Sequence, residues 1–159
     1  RERYGREGVE FRTGDAMRFE DPEGFDTIVS LETVEHLRFP ARLIDHLVSL
    51  LRPNGIVVAS VPTTPSVDVN PHHLHDFTEK SFRRFFAPQP LKERACLRQV
   101  QPFGITNMLR RGEARLAELR PNLPRYYAAH PGSAFRRLAS TVRFGFVNCY
   151  ITIAWQRCT

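Results

Sequence analysis

The run Phe25-Asp26-Thr27-Ile28-Val29-Ser30-Leu31 leads straight into Glu32-Thr33-Val34-Glu35-His36-Leu37, so a short apolar segment rich in β-branched side chains stops at two carboxylates and an imidazole. Such a segment reads as a strand buried on both faces, as in a parallel sheet covered by helices. Glu32, Glu35 and His36 then lie just past its carboxyl end. In open α/β sheets ligands sit in the crevice on that side, so the candidate chemistry falls where a ligand is expected.

The flanking segments extend the same sheet. Val9–Thr13 alternates and stops at Gly14-Asp15, which predicts a short strand with Asp15 at its carboxyl end. Phe39-Pro40 opens a helix whose Leu43, Ile44, Leu47, Val48, Leu50 and Leu51 form one wide apolar face, and Pro53-Asn54-Gly55 is expected to end it. Ile56–Val61 is a second continuous apolar strand, and strand, helix, strand at these lengths implies a parallel crossover. Thr63–Asp76 is a long loop holding His72, His73 and His75, and long loops in compact domains tend to be functional. Thr78 begins a helix with Phe82, Phe85 and Phe86 inside and Lys80, Arg83 and Arg84 outside. Cys96–Gln101 suits a strand. Ile105–Leu119 and Ser133–Val142 read as basic amphipathic helices separated by the proline-rich stretch Pro121–Pro131. The second carries Phe135, Leu138 and Val142 on one side, with Arg136 and Arg137 outside that stripe. Phe146–Trp155 alternates as a final strand, with Val147, Cys149, Ile151, Ile153 and Trp155 on one face.

A chain of 159 residues suits one domain. No stretch is apolar for long enough to span a bilayer, no signal-peptide pattern is visible, and three cysteines without paired spacing argue against a disulfide framework or a zinc site. A cytoplasmic location, with peripheral membrane contact as an alternative, is the simplest expectation. The overall charge of +6 hides an asymmetry. Residues 1–79 carry 8 basic and 14 acidic side chains, net −6, whereas residues 80–159 carry 15 basic and 3 acidic, net +12. A basic half suits an anionic partner such as a phosphate-bearing acceptor, RNA or an acidic membrane, although arginine on solvated helix faces gives the same count.

The motifs Thr13-Gly14-Asp15-Ala16, Phe25–Val29, Leu31–Leu37, Leu51-Arg52-Pro53-Asn54-Gly55 and Asn70–Thr78, in this order and spacing, resemble the carboxyl-terminal part of a class I S-adenosylmethionine-dependent methyltransferase. The resemblance covers roughly Val9–Phe86. It implies an α/β fold, a Rossmann-like, doubly wound, mostly parallel sheet with an antiparallel final strand. The glycine-rich loop of that family is absent, so the resemblance also implies that the first strands of the fold are lacking, and with them half of the cofactor site. On this comparison S-adenosylmethionine is the cofactor. Asp15 would accept from the adenine amino group beside the Ala16 amide, and Leu31 and Glu32 would lie next to the transferred methyl group. The implied division is a methyltransferase core over 1–104, a basic helical insertion or substrate cap over 105–144, and a returning strand over 145–159.

Glu32, Glu35 and His36 stand at i, i+3 and i+4, where one helical turn would place all three on a common face. Two readings of that junction follow. In one, His36, supported by Glu35, is the catalytic base on a hydroxyl of a small-molecule or glycan acceptor, or a lipid-linked intermediate. In the other, Glu32, Glu35, His36 and His73 hold Mg²⁺ or Mn²⁺. That set resembles the metal-dependent methyltransferases acting on the terminal ribose of small RNAs. A non-catalytic basic module binding nucleic acid or membrane is the alternative from outside enzymology.

Overall fold

The computed structural model describes residues 5–102 and 120–158. Four strands form one sheet in the order β1-β2-β4-β3, with β1 Phe25–Leu31, β2 Leu51–Pro62, β3 Leu91–Pro102 and β4 Val147–Arg157. β1 and β2 are parallel, and β4 is antiparallel to both β2 and β3. Three strands therefore run one way and the final strand runs against them, as the resemblance implies. Helices α1 Pro40–Ser49, α2 Glu79–Phe86, α3 Leu123–Ala129 and α4 Pro131–Phe144 complete the described elements, with a 3₁₀ turn at Val34–His36.

Alternation places the core. Val57 faces Trp155, Ala59 faces Ile153 and Val61 faces Ile151 across β2 and β4, and all six are buried. Leu43, Ile44 and Val48 of α1 and Phe82 and Phe86 of α2 close over them. Phe86 stacks on Trp155 with ring centroids 3.7 Å apart, and Phe82 meets the same indole edge-on at 5.6 Å. Burying each such side chain contributes roughly 1.5–3 kcal/mol. The helix that brings these phenylalanines in is started by a reciprocal cap. Thr78 Oγ1 accepts from the Ser81 amide while Ser81 Oγ accepts from the Thr78 amide.

Several expectations are corrected. β1 is not buried on both faces: Ile28 and Ser30 turn toward the core, while Val29 and Leu31 remain 60% and 54% exposed. A continuous apolar run shows that one face is covered without showing that both are. Val9–Thr13 is exposed and forms no strand, since a strand needs a neighbour and β1 pairs only with β2 among the described residues. Pro53-Asn54-Gly55 does not stop α1, which ends at Ser49. It forms a bulge inside β2, where pairing jumps from Phe25 opposite Leu51 to Thr27 opposite Ile56. Asn54 sits at φ 64°, and a Cβ on Gly55 would lie 2.9 Å from the Arg52 carbonyl oxygen and 3.0 Å from that of Phe25. The supposed spacer Pro121–Pro131 contains α3. The expected helix Ile105–Leu119 lies outside the described residues.

Candidate active site

β1 ends at Leu31, and Glu32 takes φ 48°, so the chain turns out of the strand. Ser60 of β2 fixes the turn. Its Oγ accepts from the Glu32 amide at 3.0 Å and donates to Glu32 Oε1 at 2.6 Å. Burial raises the Glu32 carboxyl pKa, and the Ser60 bond and the neighbouring His36 only partly offset it. The 3₁₀ turn that follows buries Val34 and Glu35 and leaves His36 at the surface. The expected single helical turn through Glu32 therefore does not form, because a left-handed Glu32 sends its carboxylate back to β2.

The histidine loop is stitched to this turn by three hydrogen bonds. The Leu74 amide donates to the Glu35 carbonyl at 2.8 Å, His36 Nδ1 to the His72 carbonyl at 3.1 Å, and His75 Nε2 to the Leu37 carbonyl at 2.9 Å. A carbonyl only accepts, so the bond fixes the proton on His36 Nδ1 and leaves Nε2 as the basic nitrogen of the neutral ring. His73 reaches Ser66 Oγ through Nδ1 at 2.8 Å, and its ring meets that of His36 edge-on at 4.6 Å between centroids. His75 serves the loop and not the cluster.

Glu35 is fully buried, and neither carboxylate oxygen has a side-chain partner or a partner from another residue among those described. Burial pushes its pKa up to about 7, with its own backbone amide offsetting part of the rise and the nearby Glu32 adding to it. Burial and the adjacent His36 push His73 down to about 4, so its imidazole is neutral across the physiological range. One donor atom each from Glu35, His36 and His73 lies within 4.8 Å of the others. Of the four residues read from sequence as a metal set, the structure gathers these three and diverts Glu32 to Ser60. The orphaned Glu35 oxygens and two imidazoles fit a divalent cation, and the mixture suits Mn²⁺ better than Mg²⁺, which prefers oxygen alone.

Sequence reasoning missed what holds the histidine loop. Asp76 accepts from the Ser66 and Val67 amides at 2.7 and 3.0 Å. Asp68, 3% exposed, receives Arg137 and the Tyr127 hydroxyl, while Arg120 donates to the Val67 and Asp68 carbonyls. Nothing in Val67-Asp68-Val69 signals a buried acid, because its partners stand 59 and 69 residues away in sequence. Arg137 is therefore committed internally and is not free for an anionic acceptor. Arg110 and Arg111, in the expected basic helix Ile105–Leu119, lie outside the described residues.

Asp15 lies elsewhere. Its Oδ1 accepts from the Met17 amide at 2.9 Å, closing a turn, and Arg18 stands 3.6 Å from Oδ2. With Ala16 it borders an open cleft of about 510 Å³ along the free edge of β1, walled by Phe19, Phe25, Ile28 and Leu47. Apolar walls with a carboxylate at the rim suit a flat heterocycle with an amino group on its edge. Leu31 and Glu32, at the far end of β1, do not line it. The four residues expected around the cofactor thus fall at two places, one at each end of the strand.

A family model described as a methyltransferase domain matches residues 4–108. A Bacillus halodurans C-125 protein assigned as a methyltransferase superposes with TM-score 0.71 at 13% identity, over 99% of this chain and 75% of its own. The [4+2]-cyclase SpnF gives 0.57 at 16% identity, over 95% and 56%. The N-methyltransferase NodS from Bradyrhizobium japonicum, in complex with S-adenosyl-L-homocysteine, gives 0.50 at 15%, over 91% and 52%. The chain thus spans three quarters of the first and little more than half of the other two. The curated proteins give no match.

Proposed function

The chain belongs to the family of S-adenosylmethionine-dependent methyltransferases that the matching domain defines, and from this premise we propose that it methylates a hydroxyl oxygen of an anionic acceptor, a glycan or lipid-linked intermediate. Family membership sets the non-catalytic module aside. The observation that carries the reading is the tautomer of His36, whose Nδ1 is pinned by the His72 carbonyl. Bound S-adenosylmethionine supplies a methyl group already activated on sulfur. His36 Nε2 accepts the proton of the acceptor hydroxyl, and the oxygen lone pair becomes available for the methyl carbon. The Glu35 carboxyl, close to half ionised near pH 7, lies beside the resulting imidazolium and stabilises it when ionised. Asp15 and Ala16 orient the adenine at the rim of the apolar cleft.

The test is transfer of radiolabelled methyl to phosphorylated glycans and to their deoxy analogues. His36→Ala is expected to lower kcat by roughly 10²–10⁴-fold while S-adenosylhomocysteine affinity is kept. Transfer to an analogue lacking the hydroxyl overturns the reading.

A second reading rests on the orphaned Glu35 oxygens. With Glu35, His36 and His73 as ligands, a divalent cation would polarise the acceptor hydroxyl in place of a base. The acceptor class that this arrangement resembles is the terminal ribose of RNA.

A further inference from the structure

Helix α4 is docked by the wrong face. Arg137 turns inward to Asp68 and the Pro65 carbonyl. The apolar residues at i, i+3 and i+7, Phe135, Leu138 and Val142, are 71%, 62% and 81% exposed. Phe144, the last residue of the helix, and Phe146 just beyond it are a further 48% and 69% exposed. A surface helix of a globular protein normally does the opposite, with its apolar stripe on the core. Arg136 and Arg143, seven residues apart, run along one flank of the stripe, and the Arg143 guanidinium lies 5.0 Å from the centre of the Phe144 ring. Arg125 of α3 is exposed nearby in sequence.

Charge decides among the occupants such a face could take. Residues 120–158 contain no aspartate or glutamate, and of their six arginines Arg120, Arg137 and Arg157 bond inward while Arg136 lies 3.9 Å from Asp76, which leaves Arg125 and Arg143 as exposed cations with no carboxylate beside them among the described residues. A second copy would set this basic face against itself, and like charges meeting across a twofold contact oppose association. An anionic bilayer complements both properties at once. Apolar side chains enter the boundary between headgroups and acyl chains, and flanking arginines pair with lipid phosphates while their stems lie along the apolar surface. The geometry points to α4, with Phe144 and Phe146, as a surface that docks on anionic membranes.

The docking stands apart from the reaction, because vesicle binding is read without methyl transfer. The whole chain is floated with phosphatidylcholine vesicles, with and without added phosphatidylglycerol. Binding is expected only with the anionic lipid and should fade at high salt. Phe135→Ser with Leu138→Asp should reduce it by about tenfold or more, and Arg125→Gln with Arg143→Gln should remove the preference for anionic lipid. Circular dichroism and thermal melting accompany each variant. Absence of binding, or binding indifferent to both sets of changes, overturns the proposal. So does a concentration-dependent dimer that Leu138→Asp dissolves, which would make the stripe a protein interface. A drop of several degrees in Tm for Leu138→Asp alone also overturns it, since the stripe would then be packed by the chain itself.

Discussion

Arg137 grips Asp68 with two prongs, Nε to Oδ2 at 2.8 Å and Nη2 to Oδ1 at 2.6 Å, and thereby ties helix α4 to the loop that carries His73. Burial alone would raise the Asp68 carboxyl. The bonds from Arg137 and from the Tyr127 hydroxyl outweigh it and hold the group below its ordinary value. Removing one partner strands the other. Asp68→Asn or Arg137→Gln should cost about 3 kcal/mol and Tyr127→Phe about 1 kcal/mol, read as urea midpoints. A depressed carboxyl stabilises above its unfolded value of 3.8 and loses that contribution as pH falls through the folded one. The gap between wild type and Asp68→Asn should therefore close in acid, and a gap that stays constant would contradict the pairing.

Glu35 and His73 should give opposed pH slopes. The Glu35 carboxyl is raised from 4.5 to about 7, so its contribution is fully present below 4.5 and is lost as pH rises through 7, a swing of ~3 kcal/mol. His73 is lowered from 6.5 to about 4, so the folded state gains on the unfolded one as pH rises from 4 to 6.5. In the wild type the two slopes offset each other and Tm should change little between them. Glu35→Gln should leave a Tm that climbs with pH over that window, and His73→Asn one that falls. Slopes of the same sign in both variants would contradict either the raised carboxyl or the lowered imidazole.

Mn²⁺ binding separates the two readings of the junction. If the cation site forms, electron paramagnetic resonance should show Mn²⁺ captured by the wild type and lost in His73→Ala, with Glu32→Gln binding nearly as well because Glu32 is held by Ser60. Equal capture by the wild type and His73→Ala would leave His36 as a base without metal.

Two glycines should respond in opposite directions to alanine. At Gly55 the added methyl meets two backbone oxygens at 2.9 and 3.0 Å, and backbone cannot swing aside, so a loss of about 1–3 kcal/mol is expected. At Gly132, in the first turn of α4, nothing lies within 4 Å, and the same change should add about 0.5 kcal/mol through the unfolded state. Thermal melts of both variants check this. Equal and small effects would mean that the bulge around Pro53-Asn54-Gly55 is looser than its distances state.

What was legible in the sequence is what periodicity and local chemistry encode. The alternation of Ile151, Ile153 and Trp155, the helical stripe of Leu43, Ile44 and Val48, and the Thr78 cap all stand where the pattern puts them. His36 and His73 do meet, as the resemblance to metal-dependent methyltransferases implied. The misses share one cause, which is that a pattern of apolar residues does not name the partner that covers it. Val29 and Leu31 look like core residues, and so do Phe135 and Leu138, until the faces beside them are found uncovered. Asp68 and Ser60 were invisible for the complementary reason. Each acts through a contact distant along the chain, and an isolated polar residue carries no mark of where it will be buried.

β4 lies between β2 and β3, and β3 pairs with β4 alone among the described strands. On a ribosome, β3 would emerge well before β4 and wait without a place in the sheet until Val147–Arg157 is made. Meanwhile the inner edge of β2 from Ile56 to Pro62 would present unsatisfied amides beside a bare row of Val57, Ala59 and Val61. Pairings this distant in sequence form slowly, and open apolar edges invite misassembly or capture by chaperones. The seam that carries the three buried pairs of the core is thus the one left open longest during synthesis.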